Sequence, residues 1–250
     1  MQLMGFGCNV PAIMGTRVMR SRSLRLLSML IIPFSLCSAR LQVFLFITTA
    51  VFSPAAAPVV LFSLYLISFA AAFVSALLFR RRFASDDGLL LEMPPYRVPT
   101  LRQMLLRGWR ESRHFLTRAT GFIVLGVVLV WFLTHFPFDA RPASPETLAG
   151  MLARGMDPFF APLGITTLLG IALLFGFVAK EVVIGALAVI YAASGDQLAH
   201  TIAAQIDWVQ GYSFMLFTLL YTPCLSTVAV LRQESRSWGF TLFSMGWSLV

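Results

Sequence analysis

The chain has 250 residues, of which 58% are hydrophobic and only 12% are charged. Soluble domains carry about 25% charged residues, so this composition excludes an ordinary soluble domain and predicts an integral membrane protein with roughly six to eight spans. The formal net charge is +8. Because the arginines cluster at the ends of apolar segments, this charge is typical of cytoplasmic membrane loops and does not predict a nucleic-acid-binding protein.

The N-terminal part contains a broken segment followed by two long apolar ones. Residues 1–16 are apolar but interrupted by glycine and proline, which is typical of a re-entrant piece or of the end of a helix that starts earlier. Residues 26–52 and 58–79 are long enough to cross a bilayer. The arginine clusters at 17–25 and 80–82 then fall on the same side, as two successive crossings require.

An extended polar stretch follows at residues 83–118, where Pro94-Pro95 stops any helix. From Leu101 onward, apolar residues recur at steps of three and four, with arginines between them. This pattern predicts an amphipathic helix on the anionic cytoplasmic leaflet, and a helix that docks a regulatory partner is the alternative.

The remaining chain is predicted to cross the membrane again in several pieces. Residues 119–136 form a span, and residues 212–231 form another that is broken by Pro223. Residues 158–194 hold two shorter apolar pieces joined at Ala179-Lys180-Glu181. They form either a helical hairpin with these residues at its tip or one tilted span. The last apolar run, from Trp238, is too short to cross, so we expect the chain to stop inside a helix.

These segments predict an all-α, polytopic transmembrane helix bundle with broken or re-entrant helices. A weak internal sequence similarity supports a two-fold, gate-type repeat. Residues 8–17 and 223–232 each contain a cysteine near a proline and end with an arginine. Three regions are predicted: a first gate-like half (1–82, truncated at its start), a cytoplasmic linker (83–118) and a second gate-like half (119–250, truncated at its end).

Each of the three cysteines lies near a helix-breaking proline: Cys8 near Pro11, Cys37 near Pro33, and Cys224 after Pro223. A bilayer tolerates broken backbone only where it is buried in protein or lines a watery cavity. Thiolates bind soft and borderline metal ions, so the pattern predicts a metal path with several weak contacts. The alternative is that the cysteines are small apolar residues that fill helix contacts.

One of these cysteines has a more specific prediction. Cys37 lies four residues after Pro33, and we expect it on the helix face where proline frees a carbonyl oxygen.

Charged residues inside the apolar segments are candidates for a gate. Lys180 is the only lysine, and Glu181 follows it within an apolar run. Ionisable residues inside a membrane are functional hypotheses by default, and adjacent helical residues do not face each other, so each needs its own partner. The alternative is that the long side chains of Lys180 and Glu181 extend to the membrane–water interface and place their charges there. Arg40 is predicted either to cap the Cys37 helix or to pair with Glu181. Glu234 and Arg232 are predicted to mark the cytoplasmic edge of the membrane.

Enzymatic motifs are not found in the sequence. The Gly-x-x-x-x-Gly-Lys-Ser/Thr loop that binds nucleotide phosphates is absent, so no GTP site and no tightly bound cofactor are predicted. Neither a Ser-His-Asp pattern nor a His-Glu-x-x-His pattern stands out. A transporter is therefore favoured over an enzyme.

Five motifs follow one another along nearly the whole chain: Gly5-Phe-Gly-Cys-Asn-Val-Pro-Ala-Ile-Met14 with Thr16-Arg17, Pro33-Phe-Ser-Leu-Cys-Ser-Ala-Arg40, Leu91-Glu-Met-Pro-Pro-Tyr-Arg-Val-Pro99, Phe177-Val-Ala-Lys-Glu-Val182 and Leu220-Tyr-Thr-Pro-Cys224. In this order they resemble the first gate motifs, the cytoplasmic linker and the second gate of the bacterial ferrous iron transport protein B (FeoB) family.

This resemblance implies a multi-pass protein of the bacterial inner membrane that takes up Fe(II), with GTP hydrolysis in a G-domain that this chain lacks. It makes Cys8, Cys37 and Cys224 candidate iron contacts, and Lys180 and Glu181 candidate gate residues. It also implies partners similar to the small proteins FeoA and FeoC, and a G-domain supplied in trans.

Two other functions stay open at this point. A gate-type carrier of organic solutes, similar to nucleoside permeases, would depend on polar side chains at the breaks and would tolerate Cys→Ser changes. A fragment or assembly subunit would carry no flux. The choice among Fe(II), Mn(II) and Zn(II) and the oligomeric state, including a homo-oligomer, are not determined by these residues.

Overall fold

The computed structural model describes residues 2–19, 21–83, 100–136, 146–160, 164–191, 195–221 and 223–249. Within these ranges the chain forms helices and connecting loops, without strands. The predicted all-α architecture is therefore confirmed. The helices are α1 (Gln2–Gly5), α2 (Asn9–Gly15), α3 (Arg22–Ile31), α4 (Ser38–Val51), α5 (Ala57–Phe79), α6 (Leu101–His135), α7 (Leu148–Phe160), α8 (Thr167–Val178), α9 (Val182–Ile190), α10 (Asp196–Gln205), α11 (Trp208–Leu220), α12 (Leu225–Ser235) and α13 (Trp238–Trp247).

Three stretches of the described chain are long and apolar enough to cross a membrane: Arg22–Val51, Ala57–Phe79 and Trp208–Ser235. The first and the third are interrupted near their middles. Helix α3 passes into a 3-10 turn at Ile32–Phe34 and then into extended residues before α4 begins. Helix α11 ends at Leu220 and α12 starts at Leu225.

Helices α8 and α9 form an antiparallel hairpin, which decides between the two arrangements predicted for residues 158–194. Ile171 near the start of α8 and Ile190 at the end of α9 pack in the same apolar cluster. Near the bend the two helices approach so closely that a Cβ at Gly176 would lie 2.7 Å from the Val183 side chain. Lys180 therefore lies at the tip of the hairpin.

Helix α6 differs from the sequence prediction. The amphipathic stretch from Leu101 and the following apolar span are a single 35-residue helix, about 52 Å long. The predicted boundary between residues 118 and 119 falls inside this helix, and the two parts share one axis. Much of the linker predicted at 83–118, including Pro94-Pro95 and the motif at 91–99, lies outside the described residues.

The main apolar core joins the two predicted halves of the chain. Phe44 of α4 packs in one cluster with residues of the α8–α9 hairpin and of α11, such as Leu173 and Phe214. A smaller cluster joins Ile13 of α2 and Met29 of α3 to Leu231 of α12. Because both clusters contain residues from both halves, their burial brings the chain's breaks together.

Candidate functional site

Each of the three cysteines occupies the N-cap position of a helix. Cys8 precedes α2, Cys37 precedes α4 and Cys224 precedes α12, all with non-helical backbone. The prediction that Cys37 lies on a helical face is therefore wrong, because residues 35–37 are extended before α4 starts. A helix N-terminus favours negative charge, and the thiolate is the form of cysteine that binds metal.

The prolines contribute to these breaks unequally. Pro33 is buried in the 3-10 turn and Pro223 is buried in the gap between α11 and α12, so both lie at a break as predicted. Pro11 instead lies in the first turn of α2, where a helix tolerates proline. The break beside Cys8 falls at Phe6-Gly7-Cys8, before this proline.

The first two breaks are held together by backbone contacts. The backbone N–H of Ser38 donates to the Gly7 carbonyl oxygen at 3.3 Å, and the Ser38 hydroxyl donates to the same oxygen at 2.8 Å. A Cβ at Gly5 would lie 2.5 Å from the Ser35 Oγ. Only glycine allows this approach, which brings the Cys8 and Cys37 segments side by side.

Arg40 links the second break to the break in the other half of the chain. Its side chain is fully buried, with 1% of the residue exposed. Nη1 donates to the carbonyl oxygens of Pro33 at 2.7 Å and Ser35 at 3.0 Å, and Nη2 donates to that of Tyr221 at 3.3 Å. Arg40 thus binds carbonyls of both interrupted spans, and the predicted pairing with Glu181 does not occur.

Lys180 enters the same region from the tip of the α8–α9 hairpin. Its ammonium group is buried, lies 4.3 Å from the centre of the Tyr221 ring, and has no hydrogen-bond partner among the described residues. Glu181, the next residue, is exposed at the start of α9. The two side chains therefore lie in different environments, in the turn between α8 and α9.

We call this meeting point the junction, and it comprises four segments: residues 7–8, 33–37, 179–181 and 221–224, of which residue 222 is not described. Cys8 lies within electrostatic range of Cys37, Cys224 and Glu181. Arg40 and Lys180 both lie within range of Cys37 and Cys224.

The chemistry of the junction is that of weak, separate contacts. In the part of the chain that the structure describes, no three His, Cys, Asp or Glu side chains are grouped to hold a metal ion. The junction combines sulfur atoms with backbone carbonyl oxygens and two buried cations. Such sulfurs and oxygens can bind a passing cation in steps, as permeation requires, provided that the positive charge of Arg40 and Lys180 is offset by thiolates or moves away.

A second link between the two halves was not predicted from the sequence. Glu234 at the end of α12 accepts hydrogen bonds from the Nε of Arg17, at 2.9 Å to each carboxylate oxygen, and forms an ion pair with Arg25 at 2.5 Å. We call these three residues the clasp. The hydrogen bond to Glu234 raises the pKa of Arg17, so this arginine stays charged. Because Arg17 and Glu234 are 217 residues apart, no local spacing pattern indicates the pairing.

Two family models match the chain. One is described as "Ferrous iron transport protein B C terminus" and matches residues 61–110; the other is the Gate model, described as "Nucleoside recognition", and matches residues 116–238. No solved structure matches the chain.

Curated relatives match over nearly the full length of the chain. A protein named Fe(2+) transporter FeoB from Synechocystis is 51% identical over 100% of this chain and 41% of its own length. One of the same name from Methanocaldococcus jannaschii is 36% identical over 99% of this chain and 38% of its own length. A Porphyromonas gingivalis relative, 31% identical over 98% of this chain and 35% of its own length, is named as a fusion of Fe(2+) transport protein A and FeoB.

The chain thus spans about two fifths of the length of the curated relatives it matches. The two family models and these relatives agree with the resemblance to FeoB that the sequence motifs indicate. Over nearly its whole length, the chain is similar to the C-terminal portion of proteins named Fe(2+) transporter FeoB.

Proposed function

We propose that the chain is the permease portion of a ferrous iron uptake transporter. The observation that carries this proposal is the convergence of three N-cap cysteines at one junction of broken helices, where Cys8 is exposed and Cys37 and Cys224 are half-buried. Fe(II) is a borderline cation that binds both thiolates and oxygen ligands. The names of the relatives, Fe(2+) transporter FeoB, add independent support for this substrate.

In this proposal, Fe(II) meets the sulfur atoms of Cys8, Cys37 and Cys224 in turn. Arg40 closes the path, because its guanidinium group occupies carbonyl oxygens of Pro33, Ser35 and Tyr221 that could otherwise contact a metal cation. Lys180 adds a second positive charge at the hairpin tip. Opening then requires that the hairpin and Arg40 shift together, since both contact Tyr221.

The coupling of this movement to energy is proposed to come from outside the described chain. A G-domain that hydrolyses GTP, supplied in trans, would drive the gate. A partner similar to FeoA is supported by the fused relative of Porphyromonas gingivalis. A FeoC-like partner and a homo-oligomer complete the proposed assembly. We place the chain as a multi-pass protein of the bacterial inner membrane, consistent with its three apolar stretches.

Uptake of radioactive Fe(II) tests the proposal in cells that lack their own iron permease. The chain is expressed alone and with a separate FeoB G-domain, and the triple variant Cys8→Ser, Cys37→Ser, Cys224→Ser is compared with the unchanged chain. We expect uptake that requires the G-domain and falls at least about tenfold in the triple variant, since hard hydroxyls replace the soft ligands. Membrane insertion is verified in every case.

A matched control removes sulfur elsewhere. Met215 is buried in the main apolar core, and Met215→Leu conserves its volume, so uptake should be unchanged. Full uptake by the triple variant would contradict a sulfur-lined path. No uptake by any inserted variant, with or without the G-domain, would contradict transport by this chain.

A further inference from the structure

A cleft of about 710 Å³ opens beside the clasp. Among the described residues that line it, four arginines stand against one carboxylate, that of Glu234: they are Arg17, Arg22, Arg25 and Arg236. Glu234 is already shared by Arg17 and Arg25. Arg22 and Arg236 are exposed, and no ion pair is formed by either within the described part of the chain. The cleft therefore has positive charge in excess of its own acid.

The cleft lies at the ends of two apolar stretches. Arg22 is the first residue of the stretch Arg22–Val51, and the stretch Trp208–Ser235 ends one residue before Arg236. Close by, the exposed Trp238 ring lies under the Arg232 guanidinium at 4.9 Å. Tryptophan and arginine at the end of a span are typical of the membrane–water interface. This level of the bilayer contains the lipid headgroups.

Two details indicate that the cleft is arranged for a ligand and is more than a solvated basic face. Arg236 has left-handed backbone (φ 54°), which is costly for a residue other than glycine and holds its side chain at the cleft. The Nε of Arg25 is buried and has no hydrogen-bond partner among the described residues. Because 28% of the Arg25 side chain is still exposed, an anion in the cleft can approach the accessible part of this guanidinium group and offset its charge.

We propose that this cleft binds the phosphodiester headgroup of an anionic phospholipid from the adjacent leaflet. Basic pockets between membrane helices on the cytoplasmic side are suited to such headgroups, and guanidinium groups bind phosphate oxygens in pairs. The lipid would hold α3 and the segment around Arg17 against the end of α12, beside the clasp. This inference rests on the membrane placement proposed above and is independent of the transported ion.

The proposal is tested with the full chain purified without metal and placed in phosphatidylcholine nanodiscs with or without cardiolipin. Lipid that stays bound after ejection from the disc is counted by native mass spectrometry. We expect retained cardiolipin, and a roughly tenfold loss of its affinity in Arg22→Gln, Arg236→Gln, because each arginine near the surface contributes to the attraction. Arg22→Lys, Arg236→Lys keeps the charge and should restore most of the binding.

The chain offers a matched control in Arg80→Gln, Arg82→Gln, which removes two exposed arginines from the end of α5, outside the cleft. This variant should retain cardiolipin normally. If both glutamine double variants lose cardiolipin affinity equally, the lipid is attracted by the basic surface in general and the proposal is overturned. Retention of phosphatidylcholine equal to that of cardiolipin would also overturn it. A further arm adds inorganic phosphate: displacement of the lipid by phosphate alone would assign the cleft to a soluble anion.

The readouts separate this inference from the proposed function. Lipid retention is measured without Fe(II), so its loss leaves the iron-uptake result unaffected. Conversely, a chain that retains cardiolipin but carries no iron would contradict only the transport proposal.

Discussion

Arginine side chains join the two halves of the molecule at two places, the junction and the clasp, with different chemistry. At the junction, Arg40 is 1% exposed and binds only neutral carbonyl oxygens. At the clasp, Arg17 and Arg25 are partly exposed and share the carboxylate of Glu234. Among the described residues, the first arrangement pairs a buried positive charge with no carboxylate, whereas the second neutralises charge near the surface.

This difference assigns the two links different roles. A cation held only by carbonyl oxygens can be exchanged for another cation, because the same oxygens serve a metal ion. A carboxylate shared by two guanidinium groups is specific to them and stabilises one arrangement of the helices. We therefore expect the junction to control passage and the clasp to fix the relative position of α3 and α12.

The largest effect is expected from Arg40→Met. The carbonyl oxygens of Pro33, Ser35 and Tyr221 would lose their donor inside the protein, so we expect the free energy of unfolding to fall by about 3 kcal/mol. Thermal and denaturant unfolding in detergent measures this change. The control Arg81→Met alters an exposed arginine and should have no comparable effect. An equal loss in the control would contradict the special role of Arg40.

Breaking the clasp should cost less. Glu234→Gln removes the charge that Arg17 and Arg25 share, and we expect a loss of about 2 kcal/mol, because Glu234 is buried while both arginines can reach solvent. The same unfolding assay checks it, with Glu146→Gln, an exposed carboxylate just before α7, as the control. If the stability of Glu234→Gln matches that of the control, the clasp does not hold the helices.

Lys180→Met should change stability in the opposite direction. The buried ammonium has only the Tyr221 ring as a described partner, so we expect a gain of about 1 kcal/mol, since an apolar side chain of similar length avoids desolvating the charge. Glu181→Gln, at the exposed neighbour, serves as control and should leave the melting temperature unchanged. A clear loss of stability in Lys180→Met would show that this charge has an essential partner.

The smallest effect is expected at the edge of the molecule. Trp238→Leu removes the contact with Arg232, which is worth about 0.5 kcal/mol at an exposed site. Trp208, whose exposure of 62% matches the 63% of Trp238, provides the control as Trp208→Leu. Differences in melting temperature between the two variants measure the contact. If both behave alike, the Arg232–Trp238 contact contributes no stability of its own.

Much of the helical layout was predictable from local features. The apolar stretches located the helices, and Pro33 and Pro223 located the breaks beside Cys37 and Cys224. Pro11 does not break a helix as the sequence predicts, because it lies in the first turn of α2, where proline is compatible with a helix. The boundary at residue 118 was placed at a change from amphipathic to apolar residues. The backbone of α6 continues through it, because such a change does not by itself end a helix.

The partners of the charged residues were not predictable. The sequence predicts that Arg40 caps a helix or binds Glu181. It predicts that Glu234 and Arg232 mark the cytoplasmic edge of the membrane. Their observed partners come from distant segments, such as Tyr221 for Arg40 and Arg17 for Glu234. Sequence spacing describes neighbours within one helix, whereas these contacts depend on how separate helices pack.

The amino-acid sequence by itself thus determined a helical membrane protein, the positions of its cysteines at broken backbone, and the candidate gate residues Lys180 and Glu181. These follow from hydropathy and from the backbone limits of proline and glycine, which act within a few residues. Only the tertiary structure decided that residues 158–194 form a hairpin, that four breaks meet in one junction, and that Glu234 closes a clasp. Those features arise because burial of apolar faces brings together segments that are far apart in the chain.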